Sequence, residues 1–332
     1  MSEAPLHPRD VYEAQGLEGP EAAFQAALDR GRLHHAWLLT GPEGVGKATF
    51  AYRVARRLLG AAADPALGVL DSKVDDPVSR QVAARSHPDL MVLERETDDG
   101  KTRKGIPVDE ARRLPEFFSQ SPATSPYRVA IIDAVDDLNV NAANAVLKTL
   151  EEPPARGVLL LVSHAPGKLL PTIRSRCRRL AFSPLAEDQV AAILREREGL
   201  DAESAIRLAR MSKGAPGLAI SLAAAGALEV EDAAHEILRS LPNADNAALL
   251  SIADKFRGAE GQARFELLFD RLAEQVHAMA VRDAAGGEGA RLDRWAAAWE
   301  TLTRLPIEAE ALNLDRADVF WTAMRELRAA AA

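Results

Sequence analysis

A single cysteine, Cys177, stands among 332 residues. That excludes an internal disulfide and any multi-cysteine metal site, and it fits a reduced, cytosolic protein. No apolar run approaches the roughly 20 residues needed to cross a bilayer. The opening segment MSEAPLHPRD is polar and lacks the apolar stretch of a signal peptide. Neither a secreted nor a membrane protein is expected. An excess of positive charge is missing as well: 41 Lys and Arg face 49 Asp and Glu, a net charge of −8. This excludes a strongly basic nucleic-acid binder, so any contact with DNA has to come from local basic patches. There is no internal repeat and no long low-complexity segment. What is there is an ordinary globular composition, 47% apolar and 27% charged, with length for two or three packed units.

In the first half, short apolar runs alternate with helical patterns. Strands are expected at 36–40 (AWLLT), 89–93 (DLMVL), 128–133 (RVAIID) and 158–163 (VLLLVS), with helices at 50–59, 108–118 and 141–150. The strand runs are apolar throughout, as parallel strands buried on both faces should be. Residues 96–105 (ETDDGKTRKG) read as a solvated turn. After Phe182 the pattern turns helical, with a break at 213–217 (KGAPG). From about 230 onward, Phe265, Leu268, Leu272, Val276 and Met279 step by threes and fours, as do Leu292, Trp295, Trp299 and Leu302. Gly286, Gly287 and Gly289 mark a loop between those helices. The expected organisation is an α/β domain over 1–183, a small helical domain over 184–227 and a C-terminal all-α domain over 228–332.

Gly41 to Ala48 reads GPEGVGKA between an apolar strand and a helix. It follows the phosphate-loop pattern G-x-x-x-x-G-K-[ST], in which backbone N–H groups cradle phosphates and the lysine meets the outer ones. Gly41, Gly44, Gly46 and Lys47 fit that role. Ala48 takes the place of the magnesium-binding hydroxyl, and Thr49 comes one step late. Two readings stay open: a loop that still holds ATP or ADP, and one that only turns the chain. Asp133 closes the third strand, but Ala134 follows where a glutamate could polarise an attacking water. Asp136 and Asp137 lie beyond the strand end and read as capping or solvated acids.

Other candidates have quieter readings. Ser163 and His164 end the fourth strand, and a structural hydrogen bond is favoured there over nucleotide sensing. His34 and His35 precede the first strand; adjacent residues of an extended segment point to opposite sides, so no metal site is expected. Cys177 reads as a small buried residue. Arg174, Arg176, Arg178 and Arg179 form a basic cluster, either a solvated face or a group reaching a neighbouring phosphate.

The stretch from Asp133 to Pro154 (DAVDDLNVNAANAVLKTLEEPP), followed by Ser175-Arg176-Cys177, resembles the bacterial clamp-loader subunits of DNA polymerase III, members of the AAA+ superfamily. The resemblance covers roughly residues 15–225 by motif and the rest by architecture; Asn313-Leu314-Asp315 also looks like the collar helices of that family. It implies an AAA+ P-loop sheet domain, a helical lid and an oligomerising collar. It further implies a hetero-pentamer with motor subunits (tau/gamma) and a delta subunit, acting on a sliding clamp and primer-template DNA in the cytoplasm, without a membrane. The family's motor has an intact phosphate loop, a strand-end Asp-Glu pair and an arginine near position 217. This chain has Ala48, Ala134 and Gly217 there, yet keeps the Ser-Arg-Cys triplet.

The resemblance therefore implies a non-catalytic, stationary subunit that requires no cofactor of its own and lends Arg176 in trans to an adjacent motor. The family's four-cysteine zinc module, expected within 60–90, is absent, so no zinc is expected. Alternatives are an active AAA+ motor ATPase and a free-standing P-loop enzyme such as a small-molecule kinase. The three-part layout and the triplet disfavour the kinase. No polymerase palm is recognisable.

Overall fold

The computed structural model describes residues 5–332 apart from 32, 65–67, 69, 96, 99–100, 103–104 and 287–288. Of residues 97–98, 101–102, 259–260, 285–286 and 289–291 it describes the backbone alone. The chain forms two compact units, Met1–Ile220 and Ser221–Ala332.

The first unit is built on strands β1 (Ala36–Thr40), β2 (Leu90–Glu94), β5 (Arg128–Asp133), β6 (Gly157–Ser163) and β7 (Arg178–Ala181). All their pairings are parallel, in the order β2-β5-β6-β1-β7. Strands β3 (Thr97–Asp98) and β4 (Lys101–Thr102) pair separately as an antiparallel hairpin. So part of the segment expected as a plain turn is a hairpin, while 96, 99–100 and 103–104 lie outside the described residues.

Its helices are α1 (Glu18–Asp29), α2 (Lys47–Leu59), α3 (Pro77–Ala83), α4 (Val108–Ala111), α5 (Leu114–Ser119), α6 (Val140–Glu151), α7 (Pro171–Ser175), α8 (Glu187–Glu198) and α9 (Ala202–Met211). Helix α10 (Pro216–Ala224) starts in this unit.

Successive strand residues alternate between two faces, so the central strands feed two separate cores. Trp37, Leu39, Ile131 and Leu160 pack with Phe50 and Val54 of α2 on one face. Leu38, Ile132, Leu159 and Leu161 pack with Val146 and Leu150 of α6 on the other. Both faces are thus covered, which explains the unbroken apolar runs of β1 and β6. Helix α6 starts where the Asn139 side chain accepts the N–H groups of Asn141 and Ala142 at 3.0 Å.

Two expected elements shift. The second strand begins at Leu90, one residue later than expected, and the Asp89 carboxylate before it accepts the backbone N–H groups of Ala123, Thr124 and Ser125. The helix expected over 108–118 is two short ones. Pro115 in the first turn of α5 has no N–H to continue a helix, so a new one starts there.

The second unit contains α11 (Ala227–Ser240), α12 (Asn246–Asp254), α13 (Gly258–Gly286), α14 (Gly289–Leu312) and α15 (Arg316–Ala331). Its core gathers Phe256, Phe265, Phe269, Leu272, Trp295 and Phe320. Of the glycines expected to mark a loop, Gly286 ends α13 and Gly289 begins α14, and Gly287 lies outside the described residues. Trp295 is 1% exposed and Trp299, one turn later on α14, is 41% exposed.

Candidate functional site: a phosphate loop turned on itself

The loop from Gly41 to Gly46 joins the carboxyl end of β1 to α2, the position from which α/β sheets offer backbone N–H groups to an anion. Gly44 and Gly46 have φ of +77° and +93°, a region that L side chains rarely enter, and this is why glycine stands there. Lys47 is 2% exposed. Its Nζ donates to the carbonyl of Gly41 at 2.7 Å and to that of Pro42. Burial pushes the ammonium down to about 8, against the pull of Asp133 and Glu43. The charge that would meet a phosphate is spent on the loop's own carbonyls. Ala48 offers no hydroxyl, and Thr49 sits about 100° further round α2.

The start of α10 is seated on the same loop. The N–H of Gly217 donates to the carbonyl of Gly44 at 2.8 Å. A Cβ on Gly217 would stand 3.0 Å from that oxygen, and one on Gly44 would come 2.5 Å from the Leu218 nitrogen. Glycine is required at 44, and a side chain at 217 would have to push the Gly44 carbonyl back by a few tenths of an ångström. Position 217, where the resemblance expects an arginine, is a backbone contact.

At the strand ends, burial raises the Asp133 carboxyl, with His164 the strongest opposing influence. Ala134 beside it is buried. Asp136 is neither a cap nor solvated: it accepts Ser163 Oγ at 2.9 Å and the backbone N–H groups of His164 and Ala165 at 2.5 and 3.4 Å. That is the structural bond expected of Ser163. Asp137 pairs with Arg95 at 3.1 Å.

Sequence reasoning missed Glu94, which lies beside Asp133 in the β2–β5 register. Burial drives its carboxyl up, but hydrogen bonds from His7 and Arg85 hold it at about 2. No spacing connects positions 7, 85 and 94, so no sequence signal marked them. His34 and His35 also correct an expectation: their rings stack at 4.4 Å. They precede β1 in irregular backbone, where the side-to-side alternation of a strand does not operate.

Arg176 follows the last turn of α7. Its Nη2 lies 3.0 Å from Glu151 Oε1, and its Nη1 donates to the Thr172 carbonyl at 3.1 Å. The other arginines divide. Arg178 lies over the Trp37 ring, Arg179 Nε donates to Thr40 Oγ1 at 3.0 Å, and Arg174 is exposed. Burial pushes the Cys177 thiol up to about 12, which makes it unreactive. Gly41, Gly44, Gly46 and Lys47 thus share one loop. Among the described residues, no hydrogen bond or ion pair joins Arg176 to that loop.

A parallel sheet in this order, with a phosphate loop after β1, an acid ending β5 and a polar side chain ending β6, is the AAA+ type of P-loop α/β fold. A family model described as "DNA polymerase III, delta subunit" matches residues 18–186. The chain belongs to that family.

It is 37% identical over 210 residues to DNA polymerase III subunit delta' of Pseudomonas aeruginosa, covering 62% of this chain and 60% of that protein. It is 31% identical over 306 residues to DNA polymerase III subunit gamma/tau of Mycobacterium tuberculosis, covering 84% of this chain and 51% of that protein. The chain thus spans about half to three-fifths of the length of the curated relatives it matches. Among solved structures, a DNA polymerase III gamma subunit-related protein from Thermotoga maritima covers 96% of this chain and 100% of its own, at 17% identity and a TM-score of 0.44.

Proposed function

We propose that this chain is the delta-prime subunit of the DNA polymerase III clamp loader, a stationary member that does not hydrolyse ATP. It assembles with tau/gamma motor subunits and a delta subunit into a hetero-pentamer that places the sliding clamp on primed DNA. Its parts are an AAA+ domain over 1–183, a lid over 184–227 and a collar over 228–332, and Arg176 serves the nucleotide site of the neighbouring motor. The observation that carries this reading is the state of the phosphate loop. Lys47 is consumed by the carbonyls of Gly41 and Pro42, and Gly44 is covered by Gly217. Ala48 and Ala134 lack the hydroxyl and the carboxylate that hydrolysis requires.

The gamma/tau relatives align over more of the chain than the delta' relative does, which keeps a motor ATPase as the competing reading. The loop favours the stationary one. Each missing group removes transition-state stabilisation, and about 1.4 kcal/mol is worth a factor of ten in rate. The purified chain is expected to turn over ATP at background rate and to hold no labelled ATP in equilibrium dialysis. DNA-stimulated turnover by the chain alone, abolished by Lys47→Ala, would establish the motor instead.

A further inference from the structure

The two edges of the main sheet are treated differently. At β7, the edge carries exposed Arg178 and Arg179, charges of the kind that keep other strands from pairing. At the opposite edge, β2 presents Leu90, Met91, Val92 and Leu93 in a row, with no proline, lysine or bulge. The Asp89 carbonyl accepts the N–H of Val129 on β5 at 2.9 Å. Backbone groups of successive strand residues point to opposite sides, so those of Val92 and Glu94 and the carbonyl of Leu90 point away from the sheet. Among the described residues, no backbone hydrogen bond completes the N–H or the carbonyl of Val92.

A groove of about 510 Å³ runs along this edge, with all four apolar residues of β2 in its floor. Its far wall is α4–α5. The charges of the groove are mostly spent: Arg85 pairs with Glu94 and Arg128 with Asp89. Glu110 also has a partner. Arg113 and Glu116 are exposed at the rim. They stand one helical turn apart, about 5 Å along the axis. In an extended strand, side chains two residues apart share a face at about 6.7 Å, a difference of about 2 Å that the long, exposed arginine and glutamate side chains can span.

We propose that the outer edge of β2 is a docking site for an extended segment of another protein. The segment adds as a sixth strand, setting an acidic side chain against Arg113 and a basic one, two residues away, against Glu116. Its alternate side chains are apolar and meet Leu90 and Val92, both half-buried on the α2 face of the sheet. Main-chain bonds to the free groups of Val92 supply affinity, and the two charges set specificity. None of this depends on the nucleotide loop or on Arg176.

The probe is a fluorescent seven-residue peptide, threonine-valine-glutamate-valine-lysine-valine-threonine, titrated into the full chain. It is expected to bind at least tenfold more tightly than the same peptide with lysine in place of glutamate. Arg113→Glu, at an exposed position, reverses that preference. Val92→Pro removes the outward N–H and alters the Val92 side chain but leaves the β5 ladder intact, so it abolishes binding while the chain stays folded. A peptide N-methylated at alternate positions does not bind, and bound peptide slows hydrogen exchange at Val92 and Glu94. Binding that ignores Arg113→Glu, N-methylation or Val92→Pro overturns the proposal, as does the absence of binding. A concentration-dependent dimer lost in Val92→Pro would overturn it too, making a second copy the occupant.

Discussion

Arg176 and Glu151 meet at 3.0 Å, and both side chains stay open to solvent, at 36% and 51% exposure. An ion pair this exposed contributes at most about 1 kcal/mol, so the guanidinium leaves it at little cost. Its planar donors match phosphate oxygens, which an ammonium cannot copy. In reconstituted complexes, Arg176→Ala should leave pentamer assembly intact and reduce ATP turnover at the neighbouring motor, toward the roughly 10³-fold loss typical of missing arginine fingers. Arg176→Lys should not restore it, while Glu151→Ala should leave turnover at wild-type level or above. Wild-type turnover with Arg176→Ala would reduce the pair to surface decoration.

Lys47 predicts a stability effect with a defined sign. Its folded pKa, about 8, lies below the roughly 10.4 of an unfolded lysine. Between those values the unfolded chain holds a proton that the folded chain has released, so folding is favoured increasingly as pH rises, by up to about 3 kcal/mol. Urea midpoints at pH 7.5 and pH 10, for wild type and Lys47→Met, isolate this contribution. Only the wild type should show the rise from this site. A lysine reaching into solvent would show no difference between the two.

Asp89 predicts the opposite limb. Burial opposes its ionisation, but the Ser125 hydroxyl and the N–H groups of Ala123, Thr124 and Ser125 bring its pKa to about 2. Because the folded value is depressed, its stabilisation is complete above the unfolded pKa of about 3.9 and is lost as pH falls through 2. The shift corresponds to about 3 kcal/mol. Asp89→Ala also leaves the buried Arg128 guanidinium without its counter-charge and three N–H groups without their acceptor, a loss of about 3–5 kcal/mol. Denaturant titration from pH 7 to pH 2 should show a lower plateau and a flatter acid limb in the variant.

Two tryptophans on one helix should behave in opposite ways. Trp295 is enclosed in the core of the second unit, so Trp295→Ala should cost about 3–5 kcal/mol in thermal or urea unfolding. Trp299 and Ile307 are 41% and 69% exposed and stand eight residues apart, on one helix face. Changing both to serine should leave the unfolding midpoint nearly unchanged and weaken assembly with the motor and delta subunits in sedimentation experiments. Unimpaired assembly would remove this face from the collar contact.

The amino-acid sequence by itself determined the apolar runs of β1, β5 and β6, the phosphate-loop turn and the missing hydroxyl and carboxylate. Each is written in a short window of neighbouring residues, where burial on two faces or a demand for positive φ leaves a local mark. It failed at Pro115 because a helical apolar period can continue across a backbone break, and at the His34–His35 pair because strand alternation does not extend into the irregular backbone before β1. Only the tertiary structure decided that Lys47 turns inward, that Gly217 closes on Gly44, that Asp136 holds the end of β6, and that β2 is left open while β7 is guarded. Those outcomes rest on atoms brought together from distant positions, or on which strand ends up at the edge. Chain approach of that kind is set by the packing of whole elements and leaves no periodicity to read.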